Sequence, residues 1–461
     1  MGRNTLTPPD SFWEELEHPT PSVDPEQLWD TRPYLAMLRR YALARYTSPW
    51  AVLGMCLTRV VAATEPNIKL PATIGTEASL NLFLALVGAS GSGKDAAAGV
   101  ATRAIEIHTP DGNPLQIDQI PIGSGEGLTD VYMRIPQRRP RRPQQQDGIG
   151  EDLLGLDIAG NGAYQYRTRA LITIPEIDTL GSLMERRGST IGGQLRQAAM
   201  GQQLGFFYRD ESKRLIVPAH TYRMCLALGV QPRRAATLLA EADGGTPQRF
   251  IWLPATDPAI QANPTPEPAG LYWEAPRYAA PQVLFNLCQT AHDTILGAHL
   301  DRNRGTGNPL DGHRLLAQLK ASAAFSLLDG PTLEITEQDW WLAGLLMAKS
   351  DATRDQVVQQ LADATREEAQ AKNLAAASQA VAVQEGLESA TLDKTIRWVS
   401  RRLSVCPAGE WLMLRDLRHA VKSAWRPCLA EALDVLVSRG FADREDMSAS
   451  GNPTVRYRRS L

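Results

Sequence analysis

Apolar residues along the chain follow two patterns, one typical of amphipathic helices and the other of buried strands. Between residues 25 and 64, leucines and valines recur every three or four positions and the pattern breaks at Ser48 and Pro49, which predicts two helices. A further helix is predicted for residues 96–107. Uninterrupted apolar runs predict four buried strands, at residues 80–87, 170–174, 224–230 and 250–253. Strands that alternate with helices indicate an α/β fold, with a mostly parallel sheet covered by helices on both faces.

The C-terminal part of the chain has a different organisation. A proline-rich connector at residues 258–281 precedes predicted helices, and the longest of these is rich in Ala, Gln and Glu. From residue 391 the predicted order of helix, strand, two helices and two strands is typical of a winged helix-turn-helix. We therefore divide the chain into a flexible N-terminal arm (1–25), an N-terminal helical segment (26–75), an α/β core (76–260), a helical extension (261–390) and a winged-helix domain (391–461).

Composition indicates a soluble, reduced protein. The 461 residues are 43% hydrophobic and 21% charged, close to the average for globular proteins. No apolar run is long enough for a membrane span, and the N-terminal residues lack the apolar stretch of a secretory signal. The five cysteines are far apart and form no metal-binding spacing, which argues against disulfides or a zinc site. We expect a cytoplasmic protein without a membrane partner.

Positive charge is concentrated at the C-terminal end. From Thr391 onward there are 13 Lys and Arg against 8 Asp and Glu, although the whole chain has a net charge of −3. A basic module on an acidic body favours nucleic-acid binding. A solvated surface with no ligand is the alternative on charge alone.

The strongest chemical motif is the glycine-rich loop of residues 88–95, GASGSGKD, which follows the first predicted strand and opens the next helix. Glycines in such a loop let backbone N–H groups surround phosphate oxygens, and the lysine reaches the β- and γ-phosphates. The alternative is a glycine-rich turn that only happens to precede a lysine. The predicted ATP-binding residues are Gly88, Ser90, Gly91, Ser92, Gly93, Lys94 and Asp95.

Asp95 departs from the usual form of this motif. The position normally holds Ser or Thr, whose hydroxyl ligates Mg²⁺. A carboxylate can also ligate Mg²⁺, but it brings a negative charge close to the β-phosphate. We therefore predict that Asp95 is a Mg²⁺ ligand and leave open whether hydrolysis is fast.

Three acids are placed to support phosphoryl transfer, which needs carboxylates that hold the metal and orient water. Glu126 lies in the glycine-framed segment 123–128, and Glu176 and Asp178 follow the strand predicted at residues 170–174. We predict catalytic roles for all three and a second role as Mg²⁺ ligand for Asp178. Helix capping is the alternative role for such acids.

Two further polar residues lie near the later strands. Gln231 follows the strand predicted at residues 224–230, where an amide can sense the γ-phosphate. Arg249 lies between a glycine loop and the strand predicted at residues 250–253, a place from which an arginine can reach a neighbouring subunit's nucleotide. The alternatives are a turn glutamine and a surface arginine.

The order of these motifs resembles the RecA-type hexameric helicase core. More closely, residues 27–360 resemble replication ATPases of actinobacterial phages and integrative mobile elements, a P-loop family related to primase-helicases. The similar stretches are residues 48–54, 78–83, 123–128, 214–220, 229–232, 243–254, 311–313 and 336–341. In that family the P-loop lysine is usually followed by a small residue, and Asp95 departs from this pattern. The resemblance implies a RecA-like P-loop core, ATP and Mg²⁺ as cofactors, and ATP-driven work on DNA by a homo-oligomer, expected to be a hexamer. No primase site is evident, so a primase or polymerase would be a separate partner.

Basic residues of the winged helix are the predicted DNA contacts. Arg426 begins the candidate recognition segment, and the wing and tail contribute Arg444, Arg456, Arg458 and Arg459. The negative charges of Glu431 and Asp434 are unfavourable next to DNA phosphates, so a protein-binding winged helix is the alternative. The basic run that contains Arg138, Arg139, Arg141 and Arg142 either lines a ring pore or forms an exposed loop.

The sequence therefore predicts an ATP-dependent DNA helicase or replication ATPase of a phage or mobile element. The first rival is a DNA-binding initiator or helicase loader that uses ATP as an assembly switch, which Asp95 favours. The second rival is a phage-defence ATPase whose winged helix binds protein.

Overall fold

The computed structural model describes residues 24–117, 119–135, 162–211, 214–241, 244–262, 266–307, 311–330, 332–449 and 452–460. Most of the predicted N-terminal arm and the run from Arg138 to Arg142 lie outside these residues. The chain divides into two compact units, Met1–Ala364 and Thr365–Leu461. None of the helices in the described ranges has the length and apolar character of a membrane span.

Helices and strands alternate through the first unit. The helices are α1 (Pro33–Ala44), α2 (Pro49–Ala63), α3 (Lys94–Ala104), α4 (Gly127–Asp130), α5 (Ile177–Met184), α6 (Ile191–Met200), α7 (Ala236–Leu239), α8 (Gln289–Asn303) and α9 (Asp311–Asp329), and α10 (Glu337–Val405) begins there. The strands are β1 (Ile68–Leu70), β2 (Ala78–Ser79), β3 (Phe83–Val87), β4 (Ile105–His108), β5 (Gln119–Ile120), β6 (Met133–Arg134), β7 (Tyr164–Gln165), β8 (Arg169–Ile174), β9 (Arg223–Val230), β10 (Phe250–Pro254), β11 (Leu271–Glu274), β12 (Val283–Leu284), β13 (Asn286–Leu287) and β14 (Glu334–Ile335).

Five parallel strands form the central sheet, in the order β10-β3-β9-β8-β5. The four predicted apolar runs are its four longest strands, and β3 and β9 are buried along their whole length. Such continuous apolar runs suit strands that are covered on both faces. The predicted α/β class with a parallel sheet is confirmed.

Helices cover the two faces of this sheet and form two separate cores. Leu84 and Leu86 of β3 pack into one core together with α2, whose side chains are buried along the whole helix. Phe83, Ala85 and Val87 point to the other face and pack into a second core with α5 and α6. This alternation follows from the two-residue period of a strand.

Three predicted helical regions contain strands: residues 96–107, the N-terminal helical segment (26–75), which includes β1, and the helical extension (261–390). The helix predicted for residues 96–107 ends at Ala104 and continues as β4, because Ile105 and Ile107 alternate with Glu106 and His108 and are the buried residues. β11 pairs in parallel with β4, β12 with β1, and β13 with β14. The segment predicted as a helical extension therefore also supplies strands to the first unit.

The second unit begins within α10, a single helix of 69 residues where two helices were predicted. After it come β15 (Leu412–Met413), α11 (Leu414–Ala420), α12 (Leu429–Ser438), β16 (Ala442–Ala449) and β17 (Asn452–Arg459). The three strands form an antiparallel sheet in the order β15-β17-β16. Their apolar side chains pack with the end of α10, α11 and α12 around Leu417, Leu433 and Tyr457.

Candidate nucleotide-binding site

The glycine loop connects β3 to α3 at the carboxyl end of the central sheet. Gly91 and Gly93 have φ values of 75° and 85°, in the left-handed region that favours glycine. A Cβ at Gly88 would lie 2.2 Å from Ser92 Oγ, so the close turn also needs glycine there. Gly93 is the N-cap of α3 and no side chain caps this helix, which leaves its first amide groups for an anion.

Lys94 closes over this loop. Its Nζ donates hydrogen bonds to the carbonyl oxygens of Gly88, at 3.0 Å, and Ala89, at 2.9 Å. Ser92 Oγ is buried and has no hydrogen-bond partner among the described residues. The loop thus holds an ammonium group, a free hydroxyl and a helix N-terminus, the set of donors that a polyphosphate requires.

A cavity of about 390 Å³ adjoins the loop and reaches the ends of β8 and β9. Lys94, Asp95, Pro175 and Gly229 are among the residues that line it. A Cβ at Gly229 would lie 1.9 Å from the Pro175 carbonyl oxygen and 3.2 Å from Lys94 Cε. Glycine at this position therefore lets the two strand ends and the lysine approach one another.

Polar residues meet where β8 and β9 end. Gln231 Nε2 donates to Glu176 Oε1 at 3.5 Å, which brings together two residues predicted to act at the nucleotide. Asp178, in the first turn of α5, forms an ion pair with Arg234. The first residue after β8 is Pro175, so no carboxylate stands at that position.

The described residues contain no group of three or more His, Cys, Asp or Glu side chains arranged to hold a metal ion. Asp95 is exposed in the first turn of α3 and lines the cavity beside Lys94. Mg²⁺ at phosphoryl-transfer sites is held by one or two protein ligands together with substrate phosphates and water. A single carboxylate beside the loop therefore fits this metal.

Glu126 follows β5, at the outer edge of the sheet. β5 is three strands away from β3, about 14 Å at the usual strand spacing. The Glu126 carboxylate accepts a hydrogen bond of 2.6 Å from the Tyr208 hydroxyl, which raises the pKa of Tyr208 to about 12. Glu126 is not among the residues that line the cavity. Its hydrogen bond is to Tyr208 and not to a residue of the glycine loop.

Arg249 lies at the opposite end of the sheet from the glycine loop. It directly precedes β10, whose first residue pairs with Phe83, while the loop follows the last residue of β3. The length of a five-residue strand separates the two ends, about 16 Å. Arg249 Nη1 donates to the Gly244 carbonyl oxygen at 2.7 Å, and burial lowers the pKa of this guanidinium to about 10, with a contribution from Arg196.

Three of the five predicted DNA contacts are paired with acids of β16. Arg456 bonds Glu445 at 2.7 Å, Arg458 bonds Asp443 at 2.9 Å, and Arg444 bonds Asp446 at 3.2 Å. The other two differ: Arg426 donates from Nε to the Arg418 carbonyl oxygen, and Arg459 is exposed.

Two residues in these contacts were not predicted from the sequence. Arg234, the partner of Asp178, follows Gln231 by three residues, so its distance along the chain from a predicted site residue was a usable signal. Tyr208 is 82 residues from Glu126, and no local pattern indicates that contact.

Comparison with protein-family models finds no match, and a search of curated proteins finds none either. Among solved structures, a full-length MCM homologue from Methanopyrus kandleri is 12% identical, with 75% of this chain and 62% of that chain covered and a TM-score of 0.35. The Aeropyrum pernix ORC1 protein in complex with DNA is 11% identical, with 88% of each chain covered and a TM-score of 0.17. The chain thus spans less than two thirds of the MCM homologue, and we draw no functional conclusion from similarities this low.

Proposed function

We propose that this protein is a P-loop ATPase that acts on DNA, as a helicase or replication ATPase of a phage or mobile genetic element. One observation carries the ATPase part of the proposal. Lys94 and its glycine loop lie at the carboxyl end of a parallel sheet, beside a cavity that the adjacent strand ends also line. In open α/β sheets this edge is where ligands bind. The basic C-terminal end of the chain supports DNA as the partner.

Each residue at the sheet edge then has a distinct task. The loop amides and Lys94 bind the phosphates, with Lys94 Nζ exchanging its two carbonyl partners for phosphate oxygens. Asp95 holds Mg²⁺, which when bound neutralises charge on the β- and γ-phosphates. Glu176 orients water, and Gln231, hydrogen-bonded to it, senses the γ-phosphate. Asp178 can add a metal ligand only if its ion pair with Arg234 opens.

Arg249 supports an oligomeric assembly. Its position at the amino ends of the strands, opposite the glycine loop, suits action in the site of a neighbouring copy. A closed ring, which we propose is a hexamer, would place each Arg249 at such a site. Primer synthesis would then require a primase or polymerase from another chain.

ATP hydrolysis by the full chain, with and without single-stranded DNA, tests the proposal. We expect turnover that DNA stimulates and that Lys94→Ala abolishes, because the ammonium is the one side-chain cation beside the loop among the residues lining the cavity. Lys372→Ala, in an exposed part of α10, is the matched control and should keep full activity. Equal turnover in the wild type and Lys94→Ala would refute the proposal.

A DNA-binding initiator or helicase loader that uses ATP as an assembly switch is the second candidate. Two observations favour ATP binding over rapid ATP hydrolysis. The residue after β8 is Pro175 and not an acid, and Asp178 is already engaged in an ion pair. Strand displacement on a forked duplex separates the two candidates. Unwinding that requires ATP supports the helicase, whereas nucleotide-dependent assembly on DNA without displacement supports the switch.

A further inference from the structure

The C-terminal unit has a basic groove beside α11. A cavity of about 480 Å³ lies between α11 and the strands β15 and β17, and four of the eight residues that line it are Arg or His. These four are Arg415, Arg418, His419 and Arg426, and we name this surface the α11 groove. All four side chains are exposed.

The cations of the α11 groove have few acidic partners. Arg415 contacts Asp416 at 3.5 Å, and both of these side chains are largely exposed. Within the described residues Arg418, His419 and Arg426 form no ion pair, and Arg426 donates only to the Arg418 carbonyl oxygen, at 3.1 Å. The groove therefore carries a net positive charge that the protein itself does not neutralise.

The wing is different, because its arginines alternate with acids. Arg456 and Arg458 each pair with an acid of β16 and both lie over the Trp411 ring. An approaching phosphate would meet Asp443 and Glu445 together with these arginines, so attraction and repulsion largely cancel. These ion pairs are partly exposed, and the acids remain in place when a pair opens.

The exposed face of α12 is acidic as well. Glu431 and Asp434 are exposed there, and the helix presents no basic side chain between Leu429 and Ser438. A helix with this face would be repelled by the phosphates that flank a DNA groove. Compared with the β16–β17 strands and the exposed face of α12, the α11 groove has the charge that complements DNA.

We propose that the C-terminal unit binds duplex DNA by seating one sugar-phosphate backbone in the α11 groove, with Arg415, Arg418 and Arg426 on the phosphates. The planar guanidinium groups match phosphate oxygens in pairs. No Phe, Tyr or Trp side chain lines the cavity, so single strands lack the large stacking surface that they usually require. The contact is therefore independent of base sequence. This inference deepens the proposed function, because it rests on DNA as the partner.

Binding of a short duplex to the full chain, measured over a range of salt concentrations, tests the groove. Each phosphate contact contributes about 0.9 to the slope of log affinity against log salt. We expect Arg418→Ala and Arg426→Ala each to lower that slope by about one and to weaken binding severalfold. Arg418→Lys keeps the charge and should retain most of the slope, which separates charge loss from misfolding.

Arg456→Ala and Arg458→Ala are the matched controls, because each removes an arginine that an acid already neutralises. They should leave the slope within about 0.3 of the wild type. A slope that falls in these wing variants but not in the α11 variants overturns the proposal. The proposal is also overturned if single-stranded DNA binds with the full salt slope and duplex DNA binds with none. It is equally overturned if the α11 substitutions weaken only association with an acidic protein.

The DNA-binding experiment can still be interpreted if the ATPase proposal fails. ATP turnover without DNA depends on the first unit, so the α11 variants should match the wild type in that assay. A wild type without turnover would refute the proposed function while the salt slopes still decide the groove.

Discussion

Two residues at the proposed nucleotide site differ from the usual P-loop pattern. A hydroxyl normally follows the P-loop lysine, and an aspartate normally follows the strand that here is β8. In this protein the first position is Asp95 and the second is Pro175, and both line the same cavity. The carboxylate that lines this cavity therefore lies in the first turn of α3 and not at the end of β8. We infer that Asp95 compensates for the acid that Pro175 cannot supply.

Asp95→Ser tests this compensation. It restores the usual hydroxyl but removes the carboxylate, so we expect the Mg²⁺ concentration for half-maximal hydrolysis to rise about tenfold or more. Asp95→Asn, which keeps the shape and removes the charge, should behave similarly. A Mg²⁺ titration of ATP turnover measures the effect. If Asp95→Ser hydrolyses ATP faster and needs the same Mg²⁺ concentration for half-maximal hydrolysis, the carboxylate hinders hydrolysis and the inference is wrong.

At the scale of elements, one buried amine joins three of them. Lys320 of α9 donates from Nζ to the Asn81 carbonyl oxygen, just before β3, at 2.8 Å, and to that of Ala199 in α6. No carboxylate bonds it among the described residues, and full burial lowers its pKa to about 7. The amine thus exchanges a proton near neutral pH while it connects helix and sheet.

The buried Lys320 makes stability depend on pH. Between its folded pKa of about 7 and the ordinary value of 10.5, the unfolded chain binds one more proton than the folded chain. Stability from this group therefore rises with pH across that window and gains nothing more above it. We expect Lys320→Met to reduce the rise in urea midpoint between pH 7 and about pH 9.5. Lys372→Met, on the exposed part of α10, should leave the rise unchanged.

Elements with a local signal were predictable from the sequence. The apolar runs marked β3, β8, β9 and β10, and the glycine loop followed β3 as predicted. β4 was missed because its four residues continue the apolar spacing of α3. The strand order was not predictable, because it depends on pairing between strands far apart in the chain. For the same reason the position of Glu126 relative to Lys94 had no local signal.

At the scale of the whole molecule, two residues predicted to act on a nucleotide lie at opposite ends of the central sheet. Lys94 lies at the carboxyl ends of the strands and Arg249 at the amino ends. If Arg249 acts on a neighbour's nucleotide, Lys94→Ala and Arg249→Ala should each be inactive and should restore activity when mixed. Random mixing of equal amounts would give about a quarter of the wild-type sites. Turnover that stays absent in the mixture would exclude this role for Arg249.

The middle of α10 has a consequence for local stability. Every residue from 365 to 390 is exposed, including Leu374, Val381, Val383 and Leu387. Most helical stability in proteins comes from packing of an apolar face, and this stretch has none within the described residues. From residue 368 to residue 390 the backbone amides therefore rely on the helix's own hydrogen bonds. These amide hydrogens will exchange with solvent by brief local opening, long before the hydrophobic cores of the two units unfold.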